Sequence, residues 1–124
     1  MLSFILTGNV VNKNFAYYKI TKELDIFDNE TFMKSGKELY VTATNIESGK
    51  CEYFKINDVL EDMEKLRATS AIPIMTRPVK IDNKFYLDGG VSDSIPVKKC
   101  LELGCDKVIV VLTQPEGFIK KKIS

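Results

Sequence analysis

The pattern of apolar and polar residues is informative along two neighbouring stretches near the middle of the chain. Leu39–Thr44 is rich in β-branched and aromatic residues, and Cys51–Ile56 alternates between the two classes. Both patterns are typical of β-strands. The intervening residues 45–50 contain Ser48-Gly49 and indicate a turn. We therefore predict two strands that pair back on each other.

A helical spacing follows the second strand. Asp58 and Glu61 stand three positions apart, much as in a capping box, so a helix is predicted from residue 57 or 58 through about Arg67. Its predicted core face consists of Val59, Leu60, Met63 and Leu66. Ala68–Pro73 then supplies small residues and a stop, and Ser70 is interpreted there as a packing residue.

Residues 1–36 have the weakest pattern. The aromatic residues between Phe15 and Ile20 suggest an extended piece with an aromatic face. Asp28 can cap one short helical turn that ends at Gly36.

A second predicted hairpin leads into the most informative motif. Val79–Ile81 and Lys84–Leu87 flank the turn residues 82–83, and the second strand runs into Asp88-Gly89-Gly90. The glycines permit a sharp bend and a close approach of another segment. Asp88 would lie on a tight loop at a strand end, where catalytic side chains are often held. Asp-Gly is also the signal of an ordinary hairpin turn, so this stretch alone leaves both interpretations open.

The last third of the chain predicts a helix and a strand. Pro96 suits a helix start, Ser94 can cap that helix, and Gly104 can end it. Val108–Leu112 is a continuous apolar run, which is typical of a parallel strand covered on both faces. A helix followed by such a strand is half of a βαβ unit, so the fold class predicted is α/β.

Length and charge narrow the function classes. The 124 residues suit one domain or part of one, and a net charge of +1 argues against nucleic acid as the main partner. No apolar run approaches the roughly 20 residues that a membrane-spanning helix needs. The first residues lack the basic region and cleavage site of a signal peptide, so a cytoplasmic location is expected.

The counts of cysteine and histidine restrict the chemistry. Cys51, Cys100 and Cys105 form no CxxC pair, so reduced, buried thiols are predicted. The chain has no histidine, which excludes a complete Ser-His-Asp or Cys-His site and histidine-containing zinc sites within it. Acid–base chemistry would have to use Asp, Glu, Lys, Tyr or Cys. No cofactor and no metal are expected.

Several of these segments together resemble the patatin-like phospholipase family, over roughly 39–113. Asp88-Gly89-Gly90 resembles the Asp-Gly-Gly (or Ala) motif that carries the family's catalytic aspartate. The family often has Asn where this chain has Ser94, a departure that affects loop bonding and leaves Asp88 in place. The other segments that carry the likeness are Leu39–Thr44 with Ser48-Gly49, Ala68–Pro73, Val91–Pro96 and Val108–Leu112.

The resemblance implies a three-layer α/β/α sandwich with a mostly parallel sheet, and a Ser–Asp dyad that hydrolyses lipid acyl esters. Asp88 would be the catalytic residue, and Gly89 and Gly90 would support its loop. In such a dyad the aspartate accepts the serine proton during attack on the ester carbonyl and then activates water. Lipid or another acyl ester is the implied substrate, and contact with a membrane surface is compatible with it.

Two parts of the family's site do not occur in these 124 residues. There is no Gly-x-Ser-x-Gly elbow for the nucleophile and no glycine-rich oxyanion loop. Ser70 and Ser94 are the nearest substitutes, interpreted here as a packing residue and a cap. The expectation is that residues 1–124 are the C-terminal part of a patatin-like domain, inactive alone, whose partner is the N-terminal part of the same domain. Apolar surface around Val108–Leu112 would then be exposed.

Three alternatives remain at this point. The chain could be a non-catalytic interaction module or remnant of a patatin-like protein. Asp88 and Asp93 could share Mg²⁺ in a metal-assisted phosphoesterase, although no further acidic cluster joins them. Lys120–Lys122 could contact a lipid surface, with about 1 kcal/mol from each lysine near anionic lipid.

Overall fold

The computed structural model describes residues 12–115 and 117–119. The chain divides into two compact units, residues 1–94 and residues 95–124. The first unit carries the sheet and Asp88.

A four-stranded antiparallel sheet forms the centre of the first unit. Its strands are β1 (Leu39–Asn45), β2 (Cys51–Ile56), β3 (Val79–Ile81) and β4 (Lys84–Asp88), in the order β2-β1-β4-β3. Strand β1 pairs with β2 from Leu39 opposite Ile56 to Thr44 opposite Cys51. Both predicted hairpins are therefore confirmed.

The turn between β3 and β4 has the backbone that its sequence predicts. Asp82 and Asn83 have φ angles of 47° and 64°. Two consecutive left-handed residues make a two-residue turn of the type that matches the twist of the flanking strands, and Asp and Asn tolerate this region better than most residues.

The predicted mostly parallel sheet is wrong for this part of the chain, because all three strand pairings are antiparallel. Val108–Leu112 has no regular secondary structure, and the side chains of Ile109 and Val111 are 93% and 86% exposed. A strand needs a neighbour for its N–H and C=O groups, and no described residue pairs with this segment. The exposed apolar surface predicted there is observed.

The N-terminal region is helical where an extended piece was predicted. A π-helix spans Asn14–Leu24. Two of its tyrosine hydroxyls bind side chains from a later part of the chain: Tyr17 lies 3.0 Å from Ser70 Oγ, and Tyr18 donates to Glu64 Oε1 at 2.5 Å. These long-range contacts, invisible to a local pattern, favour the helix. The following helix, α1 (Asn29–Lys34), is confirmed, with Asp28 accepting from Thr31 N at its start.

Helix α2 (Met63–Thr69) begins later than predicted. Asp58 does accept hydrogen bonds from the N–H groups of Leu60 and Glu61, at 2.8 and 3.0 Å. However, Asp62 Oδ2 also accepts from the N–H groups of residues 57 and 58, which folds this segment into a turn ahead of the helix.

The second unit contains helix α3 (Val97–Glu102), which confirms a helix after Pro96 and before Gly104. Gly104 follows the helix with a φ of 92°. The predicted cap is wrong, since the Ser94 hydroxyl donates to the C=O of Gly90 and not to this helix.

The buried core lies between the sheet and α2. Tyr86 is its largest member, and the Phe54 ring meets the Tyr86 ring edge-on with centroids 5.2 Å apart. The packing role assigned to Ser70 belongs instead to its neighbours, because Ser70 is exposed. The core cluster is Ala43, Ala68, Ala71, Val79 and Tyr86.

The three cysteines are free thiols, as predicted. The predicted burial is wrong for Cys105, which is exposed, and Cys51 and Cys100 are only partly buried. Within the described ranges, no helix is both long enough and apolar enough to cross a bilayer.

Candidate active site

Asp88 ends β4 next to the central strand β1. Its backbone is held from two sides: its N–H donates to the C=O of Ala71 at 2.9 Å, and its C=O accepts from Thr44 Oγ1 at 2.8 Å. The side chain is half-buried. The bend after it is a single 3₁₀ turn, Gly89–Val91. The strand-then-loop placement predicted for Asp88 is therefore observed.

The two carboxylate oxygens of Asp88 differ in their surroundings. The N–H of Gly90 donates to Oδ1 at 2.6 Å, which orients the carboxylate. Among the residues that the structure describes, no group donates to Oδ2. One oxygen is thus fixed by the loop, and the other can accept a proton from an incoming group.

Gly89 lies against β1 with no room for a side chain. A Cβ added to Gly89 would lie 2.0 Å from Thr42 Oγ1 and 2.4 Å from the Thr42 carbonyl oxygen. The close approach predicted from the two glycines is confirmed at this position. Because Gly89 packs directly against β1, the loop lies on the sheet and the orientation of Asp88 at the end of β4 is fixed.

Two hydroxyls join the loop to the sheet. Thr44 Oγ1 and Ser92 Oγ are 2.7 Å apart. The single hydroxyl proton of Thr44 is already donated to the Asp88 C=O, so Ser92 is the donor in this pair. Thr44 is almost fully buried, at 5% exposure. The loop is therefore bound through its Ser92 side chain as well as through Asp88.

A third link comes from β2. The Tyr53 hydroxyl donates to Asp93 Oδ2 at 2.6 Å, and this hydrogen bond to a carboxylate raises the pKa of Tyr53 above its ordinary value. Asp93 was considered as a partner of Asp88 for Mg²⁺, but here it binds the edge strand. Thr44 and Tyr53 were not predicted as loop contacts, because nothing local in β1 or β2 points to residues 40 or more positions away.

A polar network lies beside the core at the middle of β4. The buried Tyr86 hydroxyl donates to Glu52 Oε2 at 2.7 Å, and Asn45 Nδ2 donates to Glu52 Oε1 at 2.8 Å. The hydrogen bond from Tyr86 is the main cause that lowers the pKa of Glu52, whereas burial is the main cause that raises the pKa of Tyr86 to about 12. This network pins the register of β1, β2 and β4 behind the site.

A cavity of about 130 Å³ is lined in part by Ala71. Its walls combine apolar side chains with three cationic ones and include the residue whose C=O holds Asp88. The residues that line it are Lys13, Tyr17, Arg67, Ser70, Ala71, Ile72, Met75, Thr76, Arg77 and Val79.

Neither substitute serine is placed as a nucleophile by its contacts. The Ser70 hydroxyl donates to the C=O of Leu66 at 3.1 Å, and the Ser94 hydroxyl donates to the C=O of Gly90 at 2.9 Å. Across the described residues, no three or more His, Cys, Asp or Glu side chains gather as a possible metal site.

The sequence pattern of one protein family matches residues 10–101, and its description is patatin-like phospholipase. The chain belongs to this family. The match includes Asp88 and both glycines after it, and it confirms the family to which the sequence motifs pointed.

Two curated relatives of this family member are much longer than it is. The chain is 30% identical over 117 residues to the uncharacterized protein YjjU of Escherichia coli (strain K12), covering 92% of the chain and 32% of that protein. It is 39% identical over 70 residues to the probable lipid hydrolase 463L of Invertebrate iridescent virus 6, covering 55% of the chain and 24% of that protein. The chain thus spans about a third and about a quarter of these relatives. No solved structure matches it.

Proposed function

We propose that this chain contributes the catalytic aspartate, Asp88, to a lipid acyl ester hydrolase that works through a Ser–Asp dyad. The patatin-like family match and the name of one relative, a probable lipid hydrolase, support the substrate class. The observation that carries the assignment is the carboxylate of Asp88, with Oδ1 held by Gly90 N–H and Oδ2 without a donor among described residues.

In the proposed reaction Asp88 Oδ2 accepts the hydroxyl proton of a serine as that serine attacks the ester carbonyl. Asp88 gives this proton to the leaving alkoxide oxygen, so the alcohol departs and an acyl-enzyme forms. Asp88 then takes a proton from water as the water oxygen attacks the acyl carbonyl, and it returns that proton to the serine oxygen as the acid leaves. The clamps on the Asp88 backbone hold the carboxylate in one position before the substrate arrives, so little reorganisation is needed during the proton transfer.

The serine and the oxyanion donors are proposed to come from outside these 124 residues. No Gly-x-Ser-x-Gly occurs in the chain, and the hydroxyls of Ser70 and Ser94 are bound to backbone carbonyls. The isolated chain is accordingly expected to hydrolyse no ester and to take no label from a fluorophosphonate probe. Stoichiometric labelling of the isolated chain would contradict this assignment of parts.

The test of the dyad is hydrolysis of p-nitrophenyl butyrate and of phospholipid by the full gene product that carries this chain. Asp88→Asn is expected to lower kcat by about 10²–10⁴-fold, the usual contribution of a positioned acid–base group. Asp93→Asn is the matched control, because an amide oxygen can still accept from Tyr53. Its effect should stay below about tenfold. Equal losses in both variants, or an Asp88→Asn enzyme of undiminished kcat, would refute the role of Asp88.

A further inference from the structure

Two of the three cysteines lie five positions apart at the C-terminal end of α3. Cys100 belongs to the helix and Cys105 follows it. Both are free thiols; Cys100 is half-buried and Cys105 is exposed. The proposed hydrolase reaction uses neither of them. Because two thiols form a disulfide only where the backbone brings them together, the geometry of this helix end decides what the pair can do.

The backbone at the end of α3 has the hydrogen bonds of a Schellman motif. Leu103 ends the helix, and Gly104 follows in the left-handed conformation with a φ of 92°. The N–H of Gly104 donates to the C=O of Leu101 at 3.0 Å. The N–H of Cys105 donates to the C=O of Cys100 at 3.1 Å. Side chains at the positions of Cys100 and Cys105 commonly contact each other in this motif, so the turn brings the two thiols together.

The hydrogen bond between Cys100 and Cys105 also limits the distance between their Cα atoms. Its N···O distance is 3.1 Å. Standard bond lengths, with trigonal angles at the nitrogen and at the carbonyl carbon, then put the two Cα atoms within about 6.5 Å of each other. Disulfides span Cα–Cα separations of about 4.4–6.8 Å. The backbone of this turn therefore suits a disulfide between the two residues as it stands.

We propose that Cys100 and Cys105 form a reversible intramolecular disulfide that closes the C-terminal end of α3. The oxidant is a low-molecular-weight disulfide, such as glutathione disulfide. The thiolate of the exposed Cys105 attacks one sulfur of the oxidant and expels one glutathione thiolate. The Cys100 thiolate then attacks Cys105 Sγ in the mixed disulfide, which forms the Cys100–Cys105 bond and expels the second glutathione thiolate. Two electrons and two protons thus pass from the protein to glutathione disulfide, which becomes two molecules of glutathione.

The first test is incubation of the 124-residue chain with about 1 mM glutathione disulfide, followed by trypsin and mass spectrometry without reductant. Trypsin cleaves after Lys99 and Lys107, so both cysteines fall in the single peptide 100–107. We expect this peptide to lose two hydrogens in a chain that stays monomeric, and to regain them with dithiothreitol. A peptide that stays reduced, one that retains glutathione, or a cross-linked dimer would overturn the inference.

Cysteine variants test the assigned order of attack. Cys51→Ser is the matched control and should form the disulfide at the wild-type rate. Cys100→Ser removes the second attacking thiol, so glutathione should remain on Cys105. Cys105→Ser should take up glutathione on peptide 100–107 about fivefold more slowly, because Cys100 is half-buried. Equal uptake by these two variants, or loss of the disulfide in Cys51→Ser, would contradict the proposed sequence of steps.

A pair of glycines tests whether the turn brings the thiols together. Gly104→Ala and Gly49→Ala place a Cβ at φ angles of 92° and 67°, and neither Cβ would meet another atom within 4 Å. Both substitutions strain the backbone in the same way, but only Gly104 lies between the two cysteines. Gly104→Ala should lower the equilibrium constant for disulfide formation against glutathione about fivefold, and Gly49→Ala should change it less than about twofold. Equal effects would refute the role of the turn.

Amide hydrogen exchange measures what the disulfide does to the helix end. The new bond joins the same two residues as the 3.1 Å hydrogen bond, so opening of the turn no longer separates them. Exchange of the Gly104 and Cys105 N–H groups is expected to slow about tenfold on oxidation. Unchanged exchange would refute the closure of α3. None of these measurements involves ester hydrolysis, so they stand or fall apart from the proposed dyad.

Discussion

Gly89→Ala is the substitution for which the structure predicts the largest loss of stability. The new Cβ would lie 2.0 Å from Thr42 Oγ1, 2.4 Å from Thr42 O and 2.6 Å from the Thr42 carbonyl carbon. A rotation of the Thr42 side chain relieves only the first of these contacts. The other two are with the backbone of β1, which is hydrogen-bonded to β2 on one side and β4 on the other.

The size of the expected loss of stability follows from the fixed position of the β1 backbone. Overpacking of a buried site costs typically 1–3 kcal/mol, and we expect about 3 kcal/mol here because backbone must move. For a chain of this length, 1 kcal/mol corresponds to about 4 °C in Tm, so the expected fall is about 12 °C. The loop that carries Asp88 should also lose its contact with β1.

The assay is urea and thermal unfolding followed by circular dichroism, with Gly90→Ala as the control. A Cβ on Gly90 would lie 2.9 Å from Asp88 Oδ1 and 3.7 Å from Ser94 Oγ, and both are side-chain atoms that can move. Gly90→Ala should lower the free energy of unfolding by less than about 1 kcal/mol. If Gly89→Ala unfolds within about 0.5 kcal/mol of the wild type, the close packing of this loop against β1 is refuted.

Five further substitutions, at four positions, test other parts of the structure. Thr44→Val leaves the Asp88 C=O and the Ser92 hydroxyl without their partner, and should lower the free energy of unfolding in urea by about 2 kcal/mol. Tyr86→Phe should lower the free energy of unfolding at neutral pH by about as much as Thr44→Val does, because Glu52 loses the hydrogen bond from the Tyr86 hydroxyl. Because the folded-state pKa of Tyr86 is raised to about 12, its contribution is fully present below the unfolded pKa of 10.0 and is lost as the pH rises towards 12, so urea titrations of this variant should show a weaker decline over that interval. Asn83→Gly, at a φ of 64°, should raise Tm slightly, and Asn83→Val should lower it by several degrees. Ile74 has a φ of 73°, in the left-handed region that a β-branched residue rarely adopts, so Ile74→Gly should raise the free energy of unfolding by about 1 kcal/mol. A lower Tm of this variant in differential scanning calorimetry would contradict strain at Ile74.

Short stretches of sequence were sufficient to predict both hairpins and the loop that follows Asp88. β-branched and aromatic residues predicted β1, and alternation of polar and apolar residues predicted β2, both within one residue. The Asp82-Asn83 pair predicted its turn. These features depend on neighbours along the chain. Asp88-Gly89-Gly90 predicted a carboxylate at a strand end followed by a close approach, and the family match agrees with that motif.

Local sequence patterns predicted the wrong structure where contacts with distant residues control the local conformation. The π-helix at Asn14–Leu24 is held by tyrosine contacts to residues 64 and 70, and α2 begins after a turn that Asp62 closes. Val108–Leu112 has strand composition, but a strand requires a second backbone to bind its N–H and C=O groups, and composition does not supply one.

The residues of this chain alone thus establish its family, its two hairpins and a candidate acid, since each depends on short stretches whose chemistry is self-contained. Folding in three dimensions established the antiparallel sheet order and the hydrogen bonds from Thr44 and Tyr53 to the loop that carries Asp88. Hydrogen bonds and steric exclusion act across distances in space, and residues that are 40 or more positions apart meet only when the sheet has formed.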